Sequence, residues 1–232
     1  MITAIPALAD NYIWTYIEDG QAVIVDPGES QGVLDFLAKE DVDLAYILLT
    51  HGHSDHVDGV ADLRTAYPNV QVIGPSEVAE QVDKVVAEGD TVPVLKTDYQ
   101  VFKAAGHTQE HIVYLSGDVL FAGDALFAGG CGRVFTQDYQ AAYQGMKKFN
   151  ALADSVRLYA GHEYTMTNLK FAQTILGDQA ELEKAIKRAQ DHLDQGQPTL
   201  PTTLGEEKTY NVFLQAQSLE DFIHYRKQRD NF

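Results

Sequence analysis

Residues 46–59 read YILLTHGHSDHVDG. An apolar run stops at Thr50, and His51, His53, Asp55 and His56 follow at once. A short apolar run closed by a polar cluster reads as a buried strand, here residues 43–49. In extended backbone His51 and His53 project the same way. Asp55 and His56 fall at the turn into a helix predicted over residues 57–67, with Val57, Val60 and Leu63 along one side. Imidazole and carboxylate together suit zinc, iron or manganese without a thiolate. A loop of solvated histidines is the plainer alternative, and H-x-H-x-D-H directly behind a strand argues against it.

Working outward, three more donors follow predicted strands. His107 comes after 99–105, Asp124 after 119–123 and His162 after 156–160. Loops at the carboxyl ends of strands are where a rigid sheet holds functional groups. Seven residues, His51, His53, Asp55, His56, His107, Asp124 and His162, suffice for two divalent ions if one carboxylate bridges them.

Around these positions the pattern is mixed α/β. Strands are expected at 12–18 and 21–26 about the turn Asp19-Gly20, at 70–73, and at 112–116. Helices are expected at 30–39 and 139–152. After residue 163 the texture becomes helical. Leu182, Ala185, Ile186, Ala189 and Leu193 form an amphipathic stripe, 211–214 reads as a short extended piece, and 219–228 as a last helix. The expected division is a catalytic domain over 1–163 and a mostly helical domain over 164–232.

The chain has 232 residues, enough for a large buried core, and its 45% hydrophobic content excludes general disorder. A net charge of −17 opposes nucleic acids and anionic membranes. There is no run of 18 apolar residues, the opening MITAIPALADNYIW lacks a basic lead, and Cys131 is the one cysteine. A cytoplasmic monomer with no membrane or nucleic-acid partner is the expectation. Cys131 reads as a small buried residue. Asp26, at the end of its strand, reads as a group that could orient a ligand from behind.

THGHSDH at 50–56 resembles the signature of the metallo-β-lactamase superfamily. Further motifs narrow the likeness: ADNYIW at 9–14, VDPGE at 25–29, FAGDALF at 121–127, GGCGR at 129–133 and GHEYT at 161–165. Together they resemble the glyoxalase II (hydroxyacylglutathione hydrolase) family over nearly the whole chain. The resemblance implies an αββα sandwich with a helical C-terminal domain, hydrolysing S-D-lactoylglutathione to D-lactate and glutathione in the second step of methylglyoxal detoxification. It implies two divalent ions, zinc foremost, with iron or manganese as alternatives. His51, His53 and His107 would hold one, Asp55, His56 and His162 the other, and Asp124 both. Asp55 and Asp124 are the implied catalytic carboxylates, beside a metal-bridging hydroxide. Arg226 and Arg229, three apart on a predicted helix, match the family's glutathione-anchoring pair. Arg133 and Tyr164 fit the same role.

Some positions depart from the family's pattern. Gly52 stands where a histidine is common, Glu110 where glycine is, Ala104-Ala105 where Thr-Pro is, and Thr136-Gln137-Asp138 where a Glu-Gly-Thr segment is. Phe135 replaces a tyrosine that touches glutathione in some members. None removes a ligand. Competing readings are a general thioesterase or lactonase on the same scaffold, a di-iron oxidoreductase, and a metal- or glutathione-binding protein without turnover. The C-terminal arginines argue against the first and His53, where that subgroup has glutamate, against the second. The complete donor set argues against the third.

Overall fold

The computed structural model describes residues 2–232. The first strands are β1 (Ile2–Ala7), β2 (Asn11–Glu18) and β3 (Gln21–Val25), an antiparallel meander whose second turn is Asp19-Gly20. Helix α1 (Gln31–Glu40) then carries the chain to β4 (Asp43–Leu48), which runs parallel to β3. Two short helices follow, α2 (Ser54–Val57) and α3 (Val60–Ala66), before β5 (Gln71–Gly74) and β6 (Lys84–Val85) extend the sheet in parallel. The order is β1-β2-β3-β4-β5-β6. Parallel pairing needs a crossover, which helices supply between β3 and β4 and between β4 and β5, and the 3-10 turn Ser76–Val78 lies in the link from β5 to β6. A second meander comprises β7 (Thr91–Val94), β8 (Thr97–Lys103) and β9 (Ile112–Ser116).

Val33 and Leu37, one turn apart on α1, are fully buried with Ile13, Ile24, Ile47, Leu63 and Val72 in one apolar cluster. Burying such a side chain contributes about 1.5–3 kcal/mol, and this cluster fixes β4, whose end presents Thr50 and His51. The single helix expected over 57–67 is a correction. Helix starts earlier, at Ser54, and breaks at Asp58-Gly59, where the Gly59 N–H leaves the helical ladder to donate to the Pro27 carbonyl at 2.9 Å.

The later chain forms β10 (Val119–Gly123), the small hairpin β11 (Leu126–Phe127) and β12 (Gly130–Cys131), α4 (Tyr139–Ala151) and β13 (Arg157–Ala160), the last parallel to β10. Then come α5 (Thr165–Leu176), α6 (Ala180–Asp194), β14 (Thr202–Thr203), α7 (Leu204–Tyr210), α8 (Val212–Gln215) and α9 (Leu219–Asp230). Thr203 and Ser218 close capping boxes with Glu206 and Asp221, satisfying the first N–H groups of α7 and α9. The extended piece expected at 211–214 is also corrected: Asn211 accepts the Phe213 N–H at 3.1 Å and starts a helical turn.

The chain divides into two compact units, Met1–Lys103 with Glu110–Ser116, and Ala104–Gln109 with Gly117–Phe232. Among the described residues no helix is long and apolar enough to cross a membrane.

Candidate metal centre

In the first unit the donors converge just past β4. His51 Nε2 lies 3.1 Å from His53 Nδ1, the His51 and His56 ring centres are 4.2 Å apart, and Asp55 Oδ2 is 3.6 Å from His56 Nε2. Behind them sits Asp26, 4% exposed, with left-handed backbone (φ 53°) at the end of β3. Its Oδ1 accepts the Thr50 N–H at 2.8 Å and its Oδ2 the Thr50 hydroxyl at 2.6 Å. With its one proton given to Asp26, the Thr50 hydroxyl can only accept from His51 Nδ1, 3.0 Å away. Asp26 Oδ2 also faces His56 Nδ1 at 3.1 Å. One carboxylate therefore assigns Nδ1–H to both histidines and leaves both Nε2 lone pairs for a cation.

Asp55 is held from two sides. Asn11 Nδ2 donates to its carbonyl and to its Oδ2, each at 3.1 Å. On the other side the backbone of Gly28 lies so close that a Cβ there would collide with the Asp55 carbonyl. The DPG turn thus has a steric reason for its glycine.

In the second unit His107, Asp124 and His162 come together. Asp124 Oδ2 is 3.2 Å from His107 Nε2 and 3.3 Å from His162 Nε2. His107 Nδ1 lies 3.0 Å from the Arg133 carbonyl, which accepts only, so Nδ1 carries the proton and Nε2 a lone pair. An imidazole nitrogen this close to a carboxylate oxygen is stabilised by a proton or a cation shared between them. A carboxylate oxygen set between two imidazole nitrogens is donor chemistry that fits a divalent cation. Gly132 is required here because a Cβ would overlap the Asp124 carbonyl and approach His107 Nδ1 to 3.1 Å.

The glycine-rich segment after Phe127 is held almost group by group. Asn168 Nδ2 donates to the Ala128 carbonyl, Asn211 Nδ2 to those of Phe127 and Gly130, and Arg226 Nη1 to that of Cys131 at 2.6 Å. The Gly129 N–H goes to Glu207 Oε2 at 2.8 Å. Glu207 is fully buried, and burial pushes its pKa up against the donors Gly129, Asn211, Thr202 and Tyr210. Cys131 is buried too, and burial raises its thiol pKa.

The expected substrate side chains fall in this unit. Arg226 is 4% exposed, stacks 5.2 Å over Phe213 and pairs with Asp230 at 3.0 Å. Its Nε is buried with no partner among the described residues. Arg229 is half-buried and donates from Nε to Asn168 Oδ1 at 3.0 Å; burial and then Arg226 hold its pKa below the usual arginine value. Arg133 is exposed and reaches Asp230 at 3.2 Å. Phe135, 58% exposed, meets the His107 ring edge-on at 5.3 Å. Tyr164 stacks on His162, ring centres 4.7 Å apart.

Nothing in the sequence singles out Asn168, Glu207 or Asp230, Asn211 reads only as the start of an extended piece, and Asn11 only as part of a motif. Asn168 carries at most a faint signal, four residues after Tyr164 on a helix. Glu207 looked like one acid among many.

Known proteins match this chain throughout. Residues 11–162 match the model of the metallo-beta-lactamase superfamily, and residues 163–232 that of the hydroxyacylglutathione hydrolase C-terminus. The hydroxyacylglutathione hydrolase of Actinobacillus pleuropneumoniae serotype 5b (strain L20) is 47% identical, covering 100% of this chain and 99% of the relative. That of Glaesserella parasuis serovar 5 (strain SH0165) is 48% identical over the same shares. Among solved structures, ETHE1 from Myxococcus xanthus superposes with a TM-score of 0.75 at 26% identity, covering 98% of this chain and 90% of that one. The BLEG-1 B3 metallo-beta-lactamase gives 0.70 at 21% identity, covering 93% and 100%, which supports the fold alone. The chain has the metallo-β-lactamase fold and belongs, within that superfamily, to the hydroxyacylglutathione hydrolase family.

Proposed function

We propose that the chain hydrolyses S-D-lactoylglutathione and related 2-hydroxyacylglutathiones to the hydroxy acid and glutathione. The observation that carries this is the union, in one chain, of the histidine–aspartate donors with the C-terminal arginines. It is 47% identical along its whole length to a hydroxyacylglutathione hydrolase. By motif position, His51, His53 and His107 take one divalent ion, Asp55, His56 and His162 a second, and Asp124 both. Zinc is the ion assigned, and the same donors accept iron or manganese. Bound there, the ions supply Lewis acidity and a hydroxide at neutral pH.

The chain's own residues do the rest. Asp26, through Thr50, keeps the His51 Nε2 lone pair free of a proton, and Asp26 does the same directly for His56. The Arg133 carbonyl does so for His107. Asp55 and Asp124 supply the negative charge that makes the centre specific for cations. Arg133 and Arg229 offer guanidinium N–H groups to the glutathione carboxylates and Tyr164 its hydroxyl, while the buried Arg226 holds the Cys131 carbonyl of the segment that carries Arg133. At the reacting carbon a C–O bond forms to water and the C–S bond breaks. The sulfur leaves as thiolate, and with a thiol pKa of about 8.5 it needs no strong acid. Residues 1–163 carry the chemistry together with Arg133, and 164–232 carry the other glutathione contacts, in a cytoplasmic monomer acting second in methylglyoxal detoxification.

The test is to compare S-D-lactoylglutathione with a non-glutathione thioester on one sample, with metal analysis. Preferred turnover of the glutathione thioester by protein holding two ions is expected. Equal turnover of both substrates, or undiminished activity after chelation, would overturn the proposal.

A further inference from the structure

His51 and His53 converge, ring nitrogens 3.1 Å apart, on either side of the Gly52 peptide. The Gly52 N–H donates to Glu77 Oε1 at 2.9 Å. The other oxygen of that carboxylate, Oε2, accepts the Glu110 N–H at 3.1 Å. Glu77 lies on the 3-10 turn Ser76–Val78 just past β5. The Gly52 and Glu110 N–H groups, 58 positions apart, therefore end on this one carboxylate.

Space and charge agree with that pairing. A Cβ on Gly52 would come within 3.3 Å of Val78 Cγ1 and 3.6 Å of Glu77 Cγ, so a larger residue would press on the turn that carries Glu77. The Glu110 side chain pairs with Lys103 Nζ at 2.8 Å, which offsets its charge, while its N–H serves Glu77. Two residues on, the Ile112 N–H donates to the Thr50 carbonyl at 2.9 Å. Between them His111 stacks on His51, ring centres 4.7 Å apart.

We infer that Glu77 is a positioning residue for the metal centre: its carboxylate bridges the Gly52 and Glu110 N–H groups and sets the His51–His53 backbone. The inference rests on the reading of His51 and His53 as metal ligands. Glu77 is exposed, so truncating it leaves the core intact.

The experiment uses the full chain and two readouts. One is amide hydrogen exchange at Gly52 and Glu110, with and without zinc. The other is zinc affinity by competition with a chromogenic chelator. Glu77→Ala should exchange at least about 10-fold faster at both amides and bind zinc about 10- to 100-fold more weakly. Glu77→Gln keeps one acceptor and should fall between. Glu80→Ala removes a nearby exposed carboxylate and should match wild type in both. Unchanged exchange in Glu77→Ala would overturn the inference, as would an equal loss of zinc in Glu80→Ala, which would mean charge alone. If the wild-type chain bound no zinc the metal reading would fail, and the exchange result would still decide what Glu77 holds.

Discussion

The two groups of donors are held in opposite ways. In the first unit four donors occupy six consecutive positions, and a few groups at neighbouring strand ends, Asp26, Thr50 and Asn11, orient them. In the second unit the donors are 107, 124 and 162, and the segment beside them is gripped by side chains from four late helices, Asn168, Glu207, Asn211 and Arg226. A contiguous motif inherits its rigidity from the strand it follows. A dispersed one needs a buried polar network, and every member of such a network must be satisfied.

The largest test strikes the dispersed side. Asp124→Asn removes the negative charge facing both His107 and His162, and should lower zinc content and cut turnover by about 100-fold or more. Full zinc loading with an intact rate would break the bridging assignment. Glu207→Ala strands four donors in the interior and should cost about 3 kcal/mol in urea unfolding. A loss below about 1 kcal/mol would show that the network is not what holds the glycine segment. On the contiguous side, Asp26→Asn should weaken zinc binding about 10-fold with little change in Tm, because it disturbs tautomers rather than packing. Competition with a chelator decides this. Arg229→Ala should raise KM about 10-fold at near-constant kcat, since its contacts are alike in ground and transition states. A fall in kcat at constant KM would remove it from the glutathione site. The smallest effect is expected from Arg157→Ala. It breaks an exposed pair with Asp118 at 3.0 Å and should change stability by less than about 1 kcal/mol.

Sequence legibility followed the same division. The strand over 43–49 and its histidines were readable because apolar run, spacing and ligand type agree within a dozen residues. The helix at 139–152 was readable because Tyr143 and Met146 recur on one face, and both are buried. The break at Asp58-Gly59 was not, because it depends on a carbonyl at Pro27, far along the chain. The helical turn at 212–215 was hidden because Asn211 acts as a cap, and a cap has no periodicity. Glu207 was invisible for a stronger reason. Only tertiary structure distinguishes a buried acid with four donors from the many solvated acids of a chain with 34. The arginines at 226 and 229 were legible as a pair, but not that one lies stacked on Phe213 and the other against Asn168.

Cys131 gives the proposed chemistry a safeguard. The reaction would release a free thiol from a chain with a single cysteine. That cysteine is covered, and burial holds its sulfur in the protonated, unreactive form. Thiol–disulfide exchange needs an accessible thiolate. Under oxidative conditions, therefore, the product would find nothing on the enzyme to cross-link.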